Sequence, residues 1–239
     1  MDFDFVKSQN PTKPPILFLH GWGGDKRSFL FLKNYFFDRD LWFVSFAGHG
    51  KSSVPKKPMK VADFAKEIVN FVAEHKIKKP DLVAHSFGGR VALVLCAKNQ
   101  NAFGRVVLTG CAGLRPKRGF CYYFRVLKFK IKKWLVKLHL IDKKRLNGCG
   151  SADYNALCGV MRETFKKVVN EDLKRYAKKV KNETLLIWGE KDDATPLEMG
   201  EKLNKFIKNS ALVVFYGCSH FCFLEQPVRF ALILNYFLV

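Results

Sequence analysis

Three residues of this chain have the types and the spacing to move an acyl group: Ser86, Asp192 and His220. Each stands just after an apolar run of strand type, in a turn that holds glycine, and they occur in the order serine, aspartate, histidine. That is the chain order expected of a triad carried on one edge of a parallel sheet. A serine hydroxyl is a weak nucleophile until a neighbouring base takes its proton. His220 would be that base, and Asp192 would hold the imidazole in the right tautomer and offset its developing charge. Backbone N–H groups of Trp22 and Phe87 would receive the oxyanion, each contributing roughly 3 kcal/mol in comparable sites.

The serine has the most telling surroundings. The strand-type run Asp81–His85 breaks at Ala84-His85-Ser86-Phe87-Gly88, and a helix-type run, Val91 to Ala97, follows at once. So tight a turn lifts one side chain clear of the sheet, and the helix behind it presents free backbone N–H groups. The positions two before and two after the serine are expected to crowd each other, and both are small, Ala84 and Gly88. An inert serine can sit in a similar strand–glycine–helix turn, so the base, the acid and the oxyanion hole must come from elsewhere in the chain.

The elements that would position them alternate. Pro14-Pro15 opens a buried strand, Ile16–Leu19, that ends in His20-Gly21-Trp22-Gly23-Gly24. Residues 28–37 read as a short helix and 41–46 as a strand, ending in Ala47-Gly48-His49-Gly50-Lys51-Ser52. This loop lacks the Gly-x-x-x-x-Gly-Lys-Ser/Thr spacing of a phosphate loop. Val61, Phe64, Ala65, Ile68, Phe71 and Val72 recur at helical spacing, and residues 105–109 form another strand. After a long helical stretch the strand pattern resumes at 184–188, with Thr195 read as a helix N-cap, Pro196 as the first helical residue and Glu198 as the capping-box partner. Residues 211–216 form the last strand, and a closing helix covers Pro227 to Phe237. The alternation implies a mostly parallel, doubly wound α/β sheet with ligands at the carboxyl ends of its strands.

At 239 residues the chain suits one domain, built from residues 1–113 and 182–239 with an insertion at 114–181. The N-terminus has no secretory layout and no apolar run nears the roughly 20 residues of a bilayer span, so a soluble cytoplasmic protein is expected. The seven cysteines are odd in number and show no disulfide framework. Cys218 and Cys222 flank His220, but at gaps unlike those of a structural zinc site, and neither metal nor cofactor is expected. The net charge of +21 is concentrated: residues 114–181 hold 20 Lys and Arg against 5 Asp and Glu. Such a patch can meet nucleic acid, an anionic membrane or an acidic substrate, or lie on solvated helix faces. Phe120, Tyr123, Phe124, Leu127, Ile131, Trp134, Leu135 and Leu138 make one apolar helical stripe, expected to cover the open end of the sheet; lying on a membrane surface is the alternative.

These motifs together resemble the α/β-hydrolase fold family, in its single-domain, helical-capped serine hydrolase form. The residues that carry the resemblance are His20-Gly21-Trp22-Gly23, Gly48 to Ser52, Ala84 to Gly89, Gly189-Glu190-Lys191-Asp192 with Pro196, and Gly217 to His220. The resemblance implies that 114–181 is the cap that sets substrate choice. It implies Asp192, three after Gly189, as the acid, with Asp193 as the fallback. A carboxylesterase-like activity on a small ester, one that carries a negative charge if the basic cap steers it, is the leading expectation. His20, Phe124 and Trp134 are the expected pocket residues. No nucleic acid partner is expected, and the basic cap is the surface for peripheral contact with an anionic membrane. A carbon–carbon hydrolase of meta-cleavage type resembles this branch equally well, and a non-catalytic relative binding anionic surfaces is the rival from another class. A serine nucleophile argues against the dehalogenase and epoxide hydrolase branches, which attack with aspartate. Two departures stand out: Phe46 replaces the aspartate that often precedes the Gly-His-Gly loop, and the antiparallel strands that usually precede Ile16 have almost no room, which implies a truncated sheet edge.

Overall fold

The computed structural model describes residues 1–115, 120–137, 142 and 157–239. Leu138 of the expected apolar stripe lies outside the described residues, as do the side chains of Phe120 and Tyr123.

Seven strands form one sheet: β1 Asp2–Val6, β2 Ile16–Leu19, β3 Leu41–Ser45, β4 Asp81–His85, β5 Val106–Thr109, β6 Thr184–Gly189 and β7 Ser210–Phe215. Their spatial order is β1-β3-β2-β4-β5-β6-β7, all parallel except β1, which runs antiparallel to β3. Every residue of β2, β4, β5 and β6 is buried. These four are covered on both faces, which is why they read as unbroken apolar runs. Alternate residues feed two cores. Leu17, Leu19 and Leu186 face α1 (Val61–Glu74), α2 (Phe87–Lys98) and, later in the chain, α6 (Leu197–Phe206). Ile16, Phe18 and Ile187 face a 3₁₀ segment, Lys26–Asn34, and the C-terminal α7 (Cys222–Glu225) and α8 (Pro227–Phe237).

The sheet edge before Ile16 is not bare. Asp2–Val6 pairs with β3 in the register Phe3↔Val44 and Phe5↔Trp42. The period-2 pattern puts both phenylalanines on one face, where their ring centroids lie 5.7 and 4.2 Å from that of Trp42. Asp2 and Asp4 point the other way and share Lys26 Nζ at 2.9 and 2.7 Å.

The insertion leaves the sheet after β5 and returns before β6. It contains α3 (Phe120–Lys137), α4 (Gly159–Asn170) and the single-turn α5 (Lys174–Ala177). The expectation that the α3 stripe covers the sheet's open end is not met: Phe124, Leu127, Ile131 and Trp134 are 53, 53, 48 and 60% exposed. The seat is taken by α4. Its Met161, Thr164 and Val168 are buried, the Thr164 hydroxyl accepts from Met59 N–H at 3.1 Å, and the Phe165 ring centroid lies 5.1 Å from that of Trp22. No described helix is long and apolar enough to cross a membrane.

Candidate active site

Ser86 directly follows β4 with φ 49° and ψ −106°, a conformation costly for any residue with a Cβ. The turn is held from both sides. Ser86 N–H donates to the Thr109 carbonyl at 3.0 Å, and the Ser86 carbonyl accepts from Ala112 N–H at 3.2 Å. Gly88 must be glycine, though not because of Ala84: a Cβ there would stand 2.2 Å from the Leu19 carbonyl oxygen, so the crowding comes from β2 alongside. With φ forced positive and α2 starting at Phe87, the serine side chain does not cap the helix.

Asp192 and His220 meet on the neighbouring loops. His220 Nδ1 donates to Asp192 Oδ2 at 2.8 Å. Asp192 is buried after β6, and its Oδ1 accepts from the backbone N–H groups of Ala194 at 3.0 Å and Thr195 at 2.7 Å. Thr195 Oγ1 adds a bond to Oδ2 at 2.8 Å. Burial alone would raise the Asp192 pKa, but the bonds from His220 and Thr195 outweigh it and hold the carboxyl below its usual range. Asp193, one residue on, is exposed and takes no part in this network. Thr195 therefore holds the Asp192 carboxylate rather than capping the helix, and α6 begins after Pro196, one residue later than expected.

Two further residues bring the histidine to this place. Gly110, at φ +51° after β5, is so close that a Cβ would lie 3.0 Å from His220 Nδ1 and 3.3 Å from Asp192 Oδ2. His85 is buried directly before the serine; its Nε2–H donates to the His220 carbonyl at 3.1 Å, and the two ring centroids are 4.6 Å apart. Burial pushes its pKa down to about 3, so the ring is neutral. Neither Gly110 nor His85 is marked as functional by its sequence context, because both act on a loop more than a hundred residues away.

Ser86 lies where two cavities meet. One, of about 260 Å³, is bounded by Phe87, Leu114, Phe165, Val168 and Met199 and is mainly apolar. The other, of about 560 Å³, holds His220 with Gly21, Gly23, Phe221 and Leu224. Trp22 and Ala194 border both. Among the described residues the Ser86 hydroxyl and the N–H groups of Trp22 and Phe87 have no hydrogen-bond partner. A free hydroxyl thus stands at the junction, the two free N–H groups belong to residues that border the smaller cavity, and His220, anchored through Nδ1, lines the larger cavity with Ser86.

The expected pocket residues are placed elsewhere. His20 is 1% exposed and holds loops together: its Nε2 accepts from Phe46 N–H at 3.0 Å, and its Nδ1–H donates to the Gly21 carbonyl at 2.7 Å. Desolvation pulls its pKa down to about 4. Phe124 and Trp134 are on the exposed face of α3 and border neither cavity, so the aromatic wall is made by Phe165 of α4 instead. Phe46, where the resemblance leads one to expect aspartate, is buried against Phe64 and Phe87. The loop after it finds its carboxylate in Asp2, whose Oδ2 accepts from Lys51 N–H at 3.2 Å and from the Ser45 hydroxyl at 3.2 Å. Arg90, one turn beyond the serine, is buried and donates to the carbonyls of Ala112 and Glu171, tying α2 to the insertion. Cys222 packs against the Thr109 hydroxyl, and among the described residues no three His, Cys, Asp or Glu side chains converge as a metal site.

The model of the alpha/beta hydrolase family matches residues 16–231. The hydrolase YugF of Bacillus subtilis (strain 168), itself uncharacterised, is 26% identical over 243 residues, covering 92% of this chain and 88% of YugF. A pimeloyl-(acyl-carrier protein) methyl ester esterase of Neisseria meningitidis serogroup B is 28% identical over 247 residues, 94% of this chain and 93% of that protein. Among solved structures, the meta-cleavage product hydrolase CumD of Pseudomonas fluorescens IP01 has a TM-score of 0.72 at 19% identity, covering 99% of this chain and 93% of that one, a likeness of fold.

Proposed function

The chain belongs to the alpha/beta hydrolase family, and from that premise we propose that it hydrolyses a small carboxylic ester through an acyl-enzyme on Ser86. The observation that carries the reading is the His220–Asp192 bond of 2.8 Å behind a cavity bordered by both Ser86 and His220. His220 Nε2, the nitrogen not engaged by Asp192, takes the Ser86 proton as Oγ attacks the ester carbon. The carbonyl oxygen gains the electron pair and is met by the N–H groups of Phe87 and Trp22. Collapse expels the alcohol, which leaves with the proton from His220. Water enters, gives a proton to His220 and attacks the acyl carbon; return of that proton to Oγ releases the acid.

Asp192 stays ionised throughout, which the three donors of Ala194 and Thr195 favour. The two cavities on either side of Ser86 offer separate places for the acyl and alcohol halves, and the apolar character of the smaller suits a hydrocarbon chain. The relative that is a methyl ester esterase fits this substrate class. The test is labelling with a fluorophosphonate together with hydrolysis of short p-nitrophenyl esters and of a vinylogous diketone. Wild type is expected to be labelled and to prefer the esters, and Ser86→Ala to lose both signals. Equal labelling of the two proteins would remove Ser86 from the mechanism, and turnover of the diketone alone would move the chain to the carbon–carbon branch.

A further inference from the structure

α3 is the described helix that stays out of the core. Phe124, Leu127, Ile131 and Trp134 recur at intervals of three and four, which stacks them on one face, and these four side chains are each about half exposed. No described element packs closely along it. The same 18 residues carry six Lys and Arg and no acid. At 100° per residue, Lys128 and Lys132 fall on one flank of the apolar stripe and Lys130 on the other, and all three are exposed. Lys128 Nζ lies 4.7 Å from the Phe124 ring centroid, so charge and apolar surface are continuous.

The occupant of this face must take both parts. A nucleic acid strand would satisfy the lysines and could stack on Trp134, but Leu127 and Ile131 offer it nothing. An apolar partner surface would cover the stripe and leave the lysines on both flanks without counter-charge. An anionic bilayer takes both at once: the acyl boundary accepts the stripe and the headgroups meet the flanking lysines. The helix is too charged to cross the bilayer, so it would lie in the surface.

We propose that α3 docks this chain on anionic bilayers, with Phe124, Leu127, Ile131 and Trp134 below the headgroups and Lys128, Lys130 and Lys132 among them. Docking needs neither Ser86 nor turnover, so it stands or falls separately from the ester-hydrolase reading.

The test is sedimentation of the full chain with vesicles of phosphatidylcholine alone or mixed with about a third phosphatidylglycerol, at low and at high salt. Wild type and Ser86→Ala are expected to bind the mixed vesicles equally at low salt, and much more weakly the neutral vesicles or either kind at high salt. The Lys128→Gln/Lys130→Gln/Lys132→Gln variant should bind about a hundredfold more weakly, and Leu127→Ser/Ile131→Ser about tenfold or more. The substitutions on α3 are all at exposed positions, and for them circular dichroism with hydrolysis of a soluble p-nitrophenyl ester, unchanged, verifies folding; for Ser86→Ala circular dichroism alone does so. A blue shift of tryptophan emission on vesicles, absent in Trp134→Phe, is the second readout and needs no disruptive variant. Binding that ignores salt and lipid charge, or that both multiple variants retain, would overturn the proposal. So would the absence of vesicle binding together with lysine-dependent binding of a single-stranded oligonucleotide, which would assign the face to nucleic acid.

Discussion

Thr195 Oγ1 stands 2.8 Å from Asp192 Oδ2, while the Thr195 N–H donates to Oδ1 at 2.7 Å, so one residue grips both oxygens of the carboxylate that holds His220. The same hydroxyl is 3.1 Å from the Gly110 carbonyl, which ties the loop after β6 to the end of β5. Thr195→Val keeps the shape and the backbone bond and removes the hydroxyl. Loss of one hydrogen bond to a charged group predicts a fall in kcat of about tenfold or more, with KM little changed. Thr195→Ser should restore most of it. Steady-state kinetics on a p-nitrophenyl ester checks this, and a valine variant that loses KM and not kcat would place Thr195 in binding instead.

Gly110 is the second control on the histidine. Alanine there meets two penalties, a φ of +51° and a Cβ 3.0 Å from the His220 ring. The backbone term alone costs about 1 kcal/mol, and His220 must shift to admit the methyl. Gly110→Ala is expected to lower the urea midpoint modestly and kcat by a larger factor than its stability loss explains. Gly88→Ala should fail more completely, since the obstacle, 2.2 Å away, is the backbone of β2. Soluble yield and denaturation curves for the two variants separate these outcomes.

The contrast between these residues shows what the amino-acid pattern reveals. β2, β4, β5 and β6 are buried along their whole length and were legible as apolar runs. β1 was missed because its alternation spans only Asp2–Val6 and its partner, β3, begins 35 residues after it ends. Ser86, Asp192 and His220 are legible because each follows an apolar strand-type run in a glycine-bearing turn. Thr195 has the sequence context of a cap because hydroxyl residues before a helix usually serve that way; its real partner, Asp192, lies three residues back. The amphipathicity of α3 was plain, but which helix would win the seat over the sheet was not, since α4 presents Met161, Phe165 and Val168 at equally helical spacing.

Buried neutral histidines give the fold an acid limit. Desolvation pulls the folded-state pKa down to about 4 for His20 and about 3 for His85, against 6.5 in the unfolded chain. Between these values the unfolded state binds the extra protons, so stability is full above pH 6.5 and falls as pH drops below it. Each histidine contributes a slope of about 1.4 kcal/mol per pH unit in that range. Burial lowers the His49 pKa and adds to the same trend, while Glu67, whose pKa burial raises, opposes it. Asp192, with its lowered pKa, withdraws its contribution only at more acid pH. Urea midpoints between pH 7.5 and about 4.5 should fall steadily below 6.5, and His20→Gln should start lower and fall less steeply. A midpoint flat across that range would show that these rings are not held neutral.

The choice between neighbouring acids gives the sharpest test of the triad. Asp192 is buried, bonded to His220 Nδ1 and to three donors of the loop, whereas Asp193 is exposed. Asp192→Asn keeps the volume and can still bond His220, but its amide presents an N–H or a neutral oxygen where the imidazolium needs a carboxylate, and it favours the wrong tautomer. In comparable triads that change lowers kcat by about 10⁴-fold. Asp193→Asn should leave kcat within about twofold, as expected of an exposed residue outside the network. Kinetics of both variants from pH 6 to 9 would decide it, and Asp192→Asn should recover part of its activity at high pH, where hydroxide takes the Ser86 proton that the wrong tautomer of His220 cannot. Equal losses at the two positions would mean that the acid is shared, and a loss confined to 193 would transfer the role to it.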